Sequence, residues 1–186
     1  MSKNPSEQVD WAGDESAAIE LRRRLDYDDQ KLMAECEVHI HRTGGPGGQH
    51  RNKVATAVRL CHRPSGFVVT ATERRSQREN KSNALDRLRE AIAVGIRQPP
   101  PGKVVWPESV QLRGGRLKVS AKNPAYWHVL ALTLDELAVA EGQLRKAADH
   151  LGVSTSSLTR FWADAPKAWT VANRIRQSAG LSPLRM

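Results

Sequence analysis

A run of glycines near residue 45 constrains the fold more than any other feature of this sequence. Residues 41–50 read HRTGGPGGQH, with four glycines and one proline in positions 44–48. Glycine at this density destabilises the interior of a helix or strand, and proline lacks the N–H that either would use. The run therefore predicts a loop between two ordered elements.

Short segments on both sides of this loop predict a small antiparallel sheet. Residues 36–41, CEVHIH, alternate in polarity and place Val38 and Ile40 on one face, as is typical of a strand. Second and third strands are predicted at residues 57–61 and 67–72, joined by a turn at residues 62–66 that contains Pro and Gly. The glycine run and one predicted helical turn at residues 52–57 connect the first two strands.

A long helix follows the third strand. Ser76 and Glu79 have the spacing of a capping box, in which the serine hydroxyl accepts from a free backbone N–H at the start of a helix. Apolar residues then recur at helical spacing through Leu85, Leu88 and Ile92. We expect a helix from Gln77 to about Gly95, ended by the prolines of the sequence QPPPG.

The remaining half of the chain predicts a basic connection and a helical domain. Residues 103–122 are predicted to form a linker or a hairpin around Gly114 and Gly115. Asn123 is expected to cap a helix with Pro124 in its first position, and helical structure is expected to about Ala179, where Gly180 ends it.

Residues 143–162, QLRKAADHLGVSTSSLTRFW, resemble a helix-turn-helix. Gly152 lies at the turn, Ala148 allows close packing four positions earlier, and Ser154 can cap the second helix. Three-helix arrangements of this kind also occur as plain packing units. We therefore favour a docking role on RNA, tRNA or a partner protein over a role in reading DNA.

The charge of the chain favours an anionic partner. The formal net charge is +9, from 29 Lys and Arg against 20 Asp and Glu, and the surplus is concentrated in and after the glycine loop. Two cysteines suggest no disulfide framework, and no apolar run is long enough to span a membrane. Because the first 16 residues are polar and acidic rather than signal-like, we expect a cytoplasmic protein.

The segment from Arg42 to Val54, RTGGPGGQHRNKV, resembles the signature loop of class I peptide chain release factors and related ribosome-rescue factors. The resemblance continues through residues 64–69 and through Arg75-Ser76-Gln77, with Asn80 and Lys81 on the helix. It covers residues 35–97, about a third of the chain. It implies a ribosome-dependent hydrolase that cleaves the ester between peptide and tRNA.

The resemblance assigns catalysis to Gly47, Gly48 and Gln49. It implies that the two glycines set a backbone geometry forbidden to other residues, so that the Gln49 N–H donates to the developing oxyanion. The Gln49 side chain would position water, and this glutamine is commonly methylated in the family. Pro46, His50 and Asn52 would support the loop, and the resemblance implies neither a cofactor nor a metal.

The basic residues around the loop are expected to contact ribosomal RNA phosphates. They are Arg42, Arg51, Lys53, Arg59, Arg74, Arg75, Arg78 and Lys81. The implied partners are the large-subunit ribosomal RNA and the P-site peptidyl-tRNA, with a methyltransferase acting on Gln49 and a partner protein at residues 124–186 as further candidates. No membrane partner is implied.

These features predict an α+β fold, in which a small antiparallel sheet packs against a long helix and a helix-turn-helix-like helical domain follows. The predicted divisions are an acidic, partly disordered segment at 1–34, a hydrolysis domain at 35–97, a basic linker or hairpin at 98–123 and a helical domain at 124–186. The codon-reading motifs of release factors are not recognisable in the sequence. We therefore expect codon-independent rescue of stalled ribosomes.

Several alternatives remain. The chain could be a non-catalytic ribosome-binding quality-control module, or a DNA-binding regulator led by the helix-turn-helix. His50 could act as a general base, although a structural or RNA-facing role is favoured. Zinc ligation is disfavoured for Cys36, His39, His41, Cys61 and His62, because Cys36 points away from His39 and His41 on an alternating strand.

Overall fold

The computed structural model of the chain describes residues 15–42, 55–99 and 102–185. The helices and strands in these ranges are α1 Glu15–Arg22, a 3-10 helix Arg23–Asp26, α2 Asp29–Ala34, β1 Cys36–His41, β2 Ala57–His62, β3 Val68–Ala71, α3 Gln77–Gly95, α4 Tyr126–Val139, α5 Leu144–Leu151, α6 Thr155–Ala163 and α7 Pro166–Ser178. The described residues divide into a first unit built on 19–96 and a second built on 97–185 with 15–18. The predicted α+β fold class is confirmed.

The three strands form one antiparallel sheet in the order β1-β2-β3. Val38 lies opposite Leu60, and Leu60 lies opposite Val69, so these three side chains share a face. On β2 this face is fully buried at Val58 and Leu60, whereas Arg59 between them is exposed. The alternation read from the sequence thus identifies the core side of the sheet.

Helix α3 covers the core side of β2 and β3 over the predicted length. Its first turn is capped as expected, because the Ser76 hydroxyl accepts from the Glu79 backbone N–H at 3.3 Å. At the other end, a Cβ added to Gly95 would lie 2.8 Å from Cζ of the buried Phe67 ring. Glycine therefore lets the last turn of the helix approach the sheet closely.

Strand β1 is less covered than the sequence pattern suggests. Val38 and Ile40 do share one face, but they remain 38% and 45% exposed. β1 lies at the edge of the sheet, and α3 packs on β2 and β3. An apolar stripe in a short strand predicts which face of the strand turns toward the core. It does not predict how far a neighbouring helix extends over that face.

Residues 19–34 pack into the first unit through a few apolar and polar anchors. Leu25 and Leu32 are buried, and Arg24 contacts Glu35 through Nε and Nη2, both at 3.2 Å. Residues 15–34 of the predicted acidic, partly disordered segment are thus largely helical, while residues 1–14 lie outside the described residues.

A buried histidine joins this N-terminal segment to the sheet. The side chain of His62 is fully buried, with Nε2 3.0 Å from Oε2 of Glu35 and Nδ1 2.7 Å from the Ser65 hydroxyl. A neutral imidazole fits both contacts, donating from Nε2 to the carboxylate and accepting at Nδ1. Burial lowers the pKa of His62, although its contact with Glu35 works in the opposite direction.

The second unit is organised around a buried tryptophan. Trp162 on α6 is fully buried, and its indole N–H donates to the Thr133 hydroxyl at 3.0 Å. The Thr133 hydroxyl in turn donates to the Leu130 carbonyl at 2.8 Å. Both buried side-chain groups, the indole N–H and the hydroxyl, therefore have hydrogen-bond partners. Leucines from α4, α5 and α6 complete the core, namely Leu130, Leu134, Leu137, Leu151 and Leu158.

The predicted helix-turn-helix is present in this unit. Gly152 follows the last residue of α5 and has a φ of +65°, which ends the helix and begins the turn. Helix α6 begins after Ser154, whose hydroxyl accepts from the Ser157 N–H at 3.2 Å. Gly180, with a φ of +72°, follows α7 as expected.

Two predictions for the start of the second unit need correction. Residues 102–123 form no strand, and the predicted hairpin is reduced to a turn at Gly114 and Gly115 with one bridge between Arg113 and Arg116. The backbone around this turn bonds instead to residues 154 and 157. Asn123 caps a turn through the Ala125 N–H at 2.9 Å, and helix α4 starts later, at Tyr126.

The buried His62 predicts a pH dependence of stability. Because its folded pKa is lowered, the unfolded chain binds more protons than the folded chain as the pH falls below about 6.5. The free energy of unfolding should therefore decrease with falling pH by up to about 1.4 kcal/mol per unit for this group. Urea unfolding between about pH 7 and pH 5 measures the slope.

The matched control is the more exposed histidine His39 on β1. His62→Gln should flatten the slope, whereas His39→Gln should leave it unchanged. Equal slopes in wild type and His62→Gln would contradict this account of the buried imidazole.

Candidate functional site

The glycine loop connects two neighbouring strands of the sheet. The predicted residues Pro46, Gly47, Gly48, Gln49, His50, Arg51, Asn52 and Lys53 all lie outside the described residues. The structure describes both ends of the connection, Arg42 after β1 and Ala55-Thr56 before β2. Since His41 lies opposite Ala57 in the antiparallel pair, both ends emerge from the same end of the sheet.

One buried amide holds the returning end of this connection. Asn80, on the second turn of α3, is fully buried. Its Nδ2 donates to the Thr56 carbonyl at 2.7 Å and to the Arg74 carbonyl at 2.9 Å, and its Oδ1 accepts from the Arg74 N–H at 3.0 Å. The segment before α3 and the base of the loop are thus joined to the same side chain.

The sequence analysis does not predict this hydrogen-bonding role of Asn80. It names Asn80 only among the residues that carry the resemblance to release factors. A signal was nevertheless present, because residues 80, 84 and 88 lie on one face of the helix and Ala84 and Leu88 are core residues. A polar residue in an apolar stripe has to find partners, and an asparagine supplies both donors and an acceptor. Such an interruption indicates a hydrogen-bonding role.

The predicted RNA-contacting cations within the described residues differ from the paired arginines of the first unit, although the exposed Lys31 and Arg63 also form no ion pair with a described carboxylate. They are Arg42, Arg59, Arg74, Arg75, Arg78 and Lys81. None forms an ion pair with a carboxylate of the described residues, and all are exposed except the half-buried Lys81. By contrast, Arg87 pairs with Glu73 at 3.1 Å and Arg89 with Asp29 at 2.8 Å.

The unpaired cations have defined positions relative to the loop. Arg42 stands at its start, and Arg59 projects from the exposed face of β2. Arg74 is held through its backbone by Asn80, next to the loop's returning end. Arg78 and Lys81 lie three residues apart on α3, on the same side of the helix. This part of the unit therefore presents positive charge that no described carboxylate neutralises by direct contact.

Glu73 orders the turn between the sheet and α3. Its carboxylate accepts from the Thr72 N–H at 2.8 Å, from Asn83 at 3.0 Å and from Arg87. The backbone hydrogen bond from Thr72 is the main cause that lowers the pKa of Glu73, with Arg87 adding to it. This bonded turn directly precedes Arg74 and Arg75 in the chain.

The cysteines and histidines of the sheet do not converge on one point. Strand pairing places Cys36 and His62 on the core face and His39, His41 and Cys61 on the other. The Cys36 thiol donates to the Leu32 carbonyl, and burial raises its pKa to about 11, so it is held as a neutral thiol. Among the described residues, no group of three or more His, Cys, Asp or Glu is arranged to hold a metal.

The first turn of the second helix in the helix-turn-helix is occupied by another part of the chain. The Ser154 N–H donates to the Gly115 carbonyl at 2.8 Å, and the Leu117 N–H donates to the Ser157 hydroxyl at 2.7 Å. A DNA-reading helix uses the residues of this first turn to reach base edges in the major groove. The contacts of residues 115–117 reduce the access that such a role needs.

Comparison with known proteins places the first unit in a family. Residues 28–101 match the RF-1 domain. The chain is 31% identical over 124 residues to peptide chain release factor 1 of Geobacter metallireducens, a match that covers 63% of this chain and 35% of the relative. It is 43% identical over 67 residues to peptide chain release factor 1 of Chloroherpeton thalassium, and 48% identical over 60 residues to the chloroplastic peptide chain release factor PrfB1 of Arabidopsis thaliana.

These two shorter matches cover 36% and 32% of this chain, and 19% and 13% of the relatives. The chain thus spans about a third, or less, of the length of the relatives named here. The sheet with its packed helix α3 is an RF-1 domain. Through this domain the chain is similar to the peptide chain release factors, and the comparisons support a relationship to the class I release factor family. Within the described ranges, no helix has both the length and the apolar character needed to cross a membrane.

The three hydrogen bonds of Asn80 predict a large effect of changing it. Asn80→Ala leaves the Thr56 carbonyl and both backbone groups of Arg74 without this partner, which should lower the free energy of unfolding by about 2–4 kcal/mol. Asn80→Asp should cost at least as much, because a carboxylate would face two carbonyl oxygens. Chemical denaturation of the full chain measures both effects.

Asn83→Ala is the matched control. Asn83 lies on the same helix and makes one exposed hydrogen bond, to Glu73. Its loss should change the free energy of unfolding by about 0.5 kcal/mol or less. Similar stabilities for the Asn80 and Asn83 variants would show that the buried amide does not hold the base of the loop.

Proposed function

We propose that this protein promotes hydrolysis of peptidyl-tRNA on the ribosome through Gly47, Gly48 and Gln49, and that it rescues stalled ribosomes without reading a stop codon. The observation that carries the proposal is the way in which the glycine loop, which contains Gly47, Gly48 and Gln49, is attached to the sheet. The loop sequence joins β1 to β2 of an RF-1 domain, and its returning end is fixed by the buried Asn80.

The proposed chemistry needs a well-placed hydrogen-bond donor more than an ionised side chain. Water attacks the ester carbonyl carbon, a C–O bond forms, and the bond from that carbon to the ribose oxygen breaks. One proton of the water passes to the ribose oxygen, the other is released to solvent, and the peptide leaves as a carboxylate. Negative charge on the oxygens in the transition state is stabilised by the Gln49 N–H, aimed by the preceding glycines.

The fixed base of the loop supports the proposed role of the Gln49 N–H as a positioned hydrogen-bond donor. A donor lowers the barrier only when it is held close to the position that the oxyanion will occupy. The antiparallel pairing of His41 with Ala57 and the bond from Asn80 to Thr56 both restrain the ends of the connection. The Gln49 side chain positions the water and excludes larger nucleophiles, and it is the proposed site of methylation by a partner methyltransferase.

The unpaired cations support a ribosomal partner. Phosphate contacts orient a protein on RNA without reading its sequence, and cations that are not neutralised by nearby carboxylates can make them. In our proposal Arg42, Arg59, Arg74, Arg75, Arg78 and Lys81 contact large-subunit ribosomal RNA, together with Arg51 and Lys53. The P-site peptidyl-tRNA is the substrate.

Codon independence rests on the sequence of the second unit. Within these 186 residues the hydrolysis motif is present, but no segment resembles the family's codon-reading motifs. The described residues after 102 form helices α4–α7 instead. A non-catalytic docking module remains a candidate because the same cations would support it. DNA regulation is disfavoured by the contacts of residues 115–117 with the first turn of α6.

Peptide release tests the catalytic proposal directly. Purified ribosomes carrying labelled peptidyl-tRNA and an empty A site are mixed with wild type, Gly48→Ala or Gln49→Ala, and a stop-codon complex is run in parallel. Wild type should release peptide from both complexes. Each variant should reduce release about 100-fold or more while still binding the ribosome, because the donor or the water is misplaced.

Two exposed positions supply matched controls. Gly102 has an ordinary φ and open space around it, so Gly102→Ala should retain full release. The exposed Gln111 supplies the corresponding Gln111→Ala control. Ribosome binding without release by wild type would favour the docking module, and release only at stop codons would refute codon independence.

The cation proposal predicts a salt-dependent loss of affinity. Arg75→Gln/Arg78→Gln should weaken binding to vacant ribosomes by about tenfold and reduce the slope of log affinity against log salt by about 1 for each lost phosphate contact. Arg23→Gln/Lys31→Gln removes the same charge from another exposed part of the unit. An equal loss in both double variants would indicate a general charge effect rather than contacts at the start of α3.

A further inference from the structure

A groove of about 590 Å³ lies in the second unit between residues 116–119 and helix α6. Arg116 and Lys118 stand on one wall, and Ser156, Arg160 and Asp164 stand on the other. The predicted RNA-contacting residues all belong to the first unit, so none of them lines this groove. Its function is therefore a separate question.

The two walls of the groove are fixed to each other. The Ser154 N–H donates to the Gly115 carbonyl at 2.8 Å, and the Leu117 N–H donates to the Ser157 hydroxyl at 2.7 Å. Ser157 also donates to the Leu117 carbonyl at 3.4 Å. These bonds link backbone on one wall to α6 on the other, so that cations distant in sequence are held in a defined arrangement.

The cations of the groove are exposed, like the predicted RNA-contacting arginines of the first unit and like Arg145 and Lys146 on α5 outside the groove. Arg116, Lys118 and Arg160 are exposed, and none forms an ion pair with a described carboxylate. Asp164 is one turn from Arg160 but does not pair with it. By comparison, Arg97 of the same unit is buried and pairs with Asp135 at 2.9 Å.

The charged groups of the lining suit a phosphate backbone. Leu117 and Phe161 contribute to the lining but are only 6% exposed each, because they belong to the core. The half-buried Val119 adds an accessible apolar group, and Asp164 adds one carboxylate. The remaining polar groups of the lining are guanidinium, ammonium and hydroxyl groups, which are the usual partners of phosphate oxygens.

We propose that this groove binds the phosphodiester backbone of RNA and gives the second unit its own contact with the ribosome. The ribosomal setting rests on the proposed function, whereas the RNA chemistry rests on the groove. Duplex DNA is disfavoured because residues 115–117 occupy the first turn of α6, which a helix-turn-helix needs to read the major groove.

Binding of the full chain to a fluorescein-labelled RNA hairpin tests the proposal. Arg116→Gln/Arg160→Gln is compared with Arg145→Gln/Lys146→Gln, which removes the same charge from exposed positions of α5 outside the groove. The groove variant should bind about tenfold more weakly than the control variant. Its slope of log affinity against log salt should be smaller by about 1 for each lost phosphate contact.

A charge-conserving variant separates binding from folding. Arg116→Lys/Arg160→Lys should recover most of the affinity, since a phosphate contact needs a cation more than a particular head group. Equal RNA affinity of the groove and control variants would overturn the proposal. So would tighter binding to duplex DNA of the same sequence, or to polyglutamate, than to the RNA hairpin.

The outcome can be distinguished from failure of the proposed function. If wild type releases peptide but the groove variant binds RNA and ribosomes like the control, the groove proposal fails and the catalytic proposal stands. If wild type releases no peptide but the groove variant loses RNA affinity, the groove proposal stands alone.

Discussion

The first unit depends on one uncharged amide buried between a helix and the base of a loop. Asn80 satisfies two carbonyls and one N–H at a point where the sheet, the glycine connection and the segment before α3 meet. A charged side chain there would have to lose its hydration on burial, whereas an amide makes the same contacts at lower cost. The apolar core sets the distance between helix and sheet, and Asn80 fixes the position of the loop's returning end.

Much of the fold could be predicted because its signals are local. Helix α3 was predicted over its observed length from a serine cap, an apolar period and a proline stop. The strands were predicted within one residue at most ends. The helix-turn-helix was predicted from the placement of Gly152 and Ser154. In each case neighbouring residues in the sequence decide the conformation.

The sequence predictions are wrong or incomplete where contacts between residues distant in the sequence determine the structure. The strands expected around Gly114 are absent because their backbone groups bond to residues 154 and 157, about forty positions away. The exposure of Val38 depends on how far α3 extends over the sheet, and the partners of the buried His62 include Glu35, which lies 27 residues earlier. For the candidate site, the resemblance to a family motif predicts the loop and its cations, and these residues stay a prediction. The pairing of Arg87 and Arg89 with described carboxylates appears only in three dimensions.

The bonds of Asn80 have a consequence for how this surface can vary. They end on main-chain atoms of Thr56 and Arg74, and they make no use of either side chain. The geometry is therefore insensitive to which residues stand at positions 56 and 74. The one exception is proline at position 74, which would remove the N–H. The shape of the support and the chemistry of the surface beside it can thus change independently, so that new side chains can be introduced at these positions without rebuilding the fold that presents them.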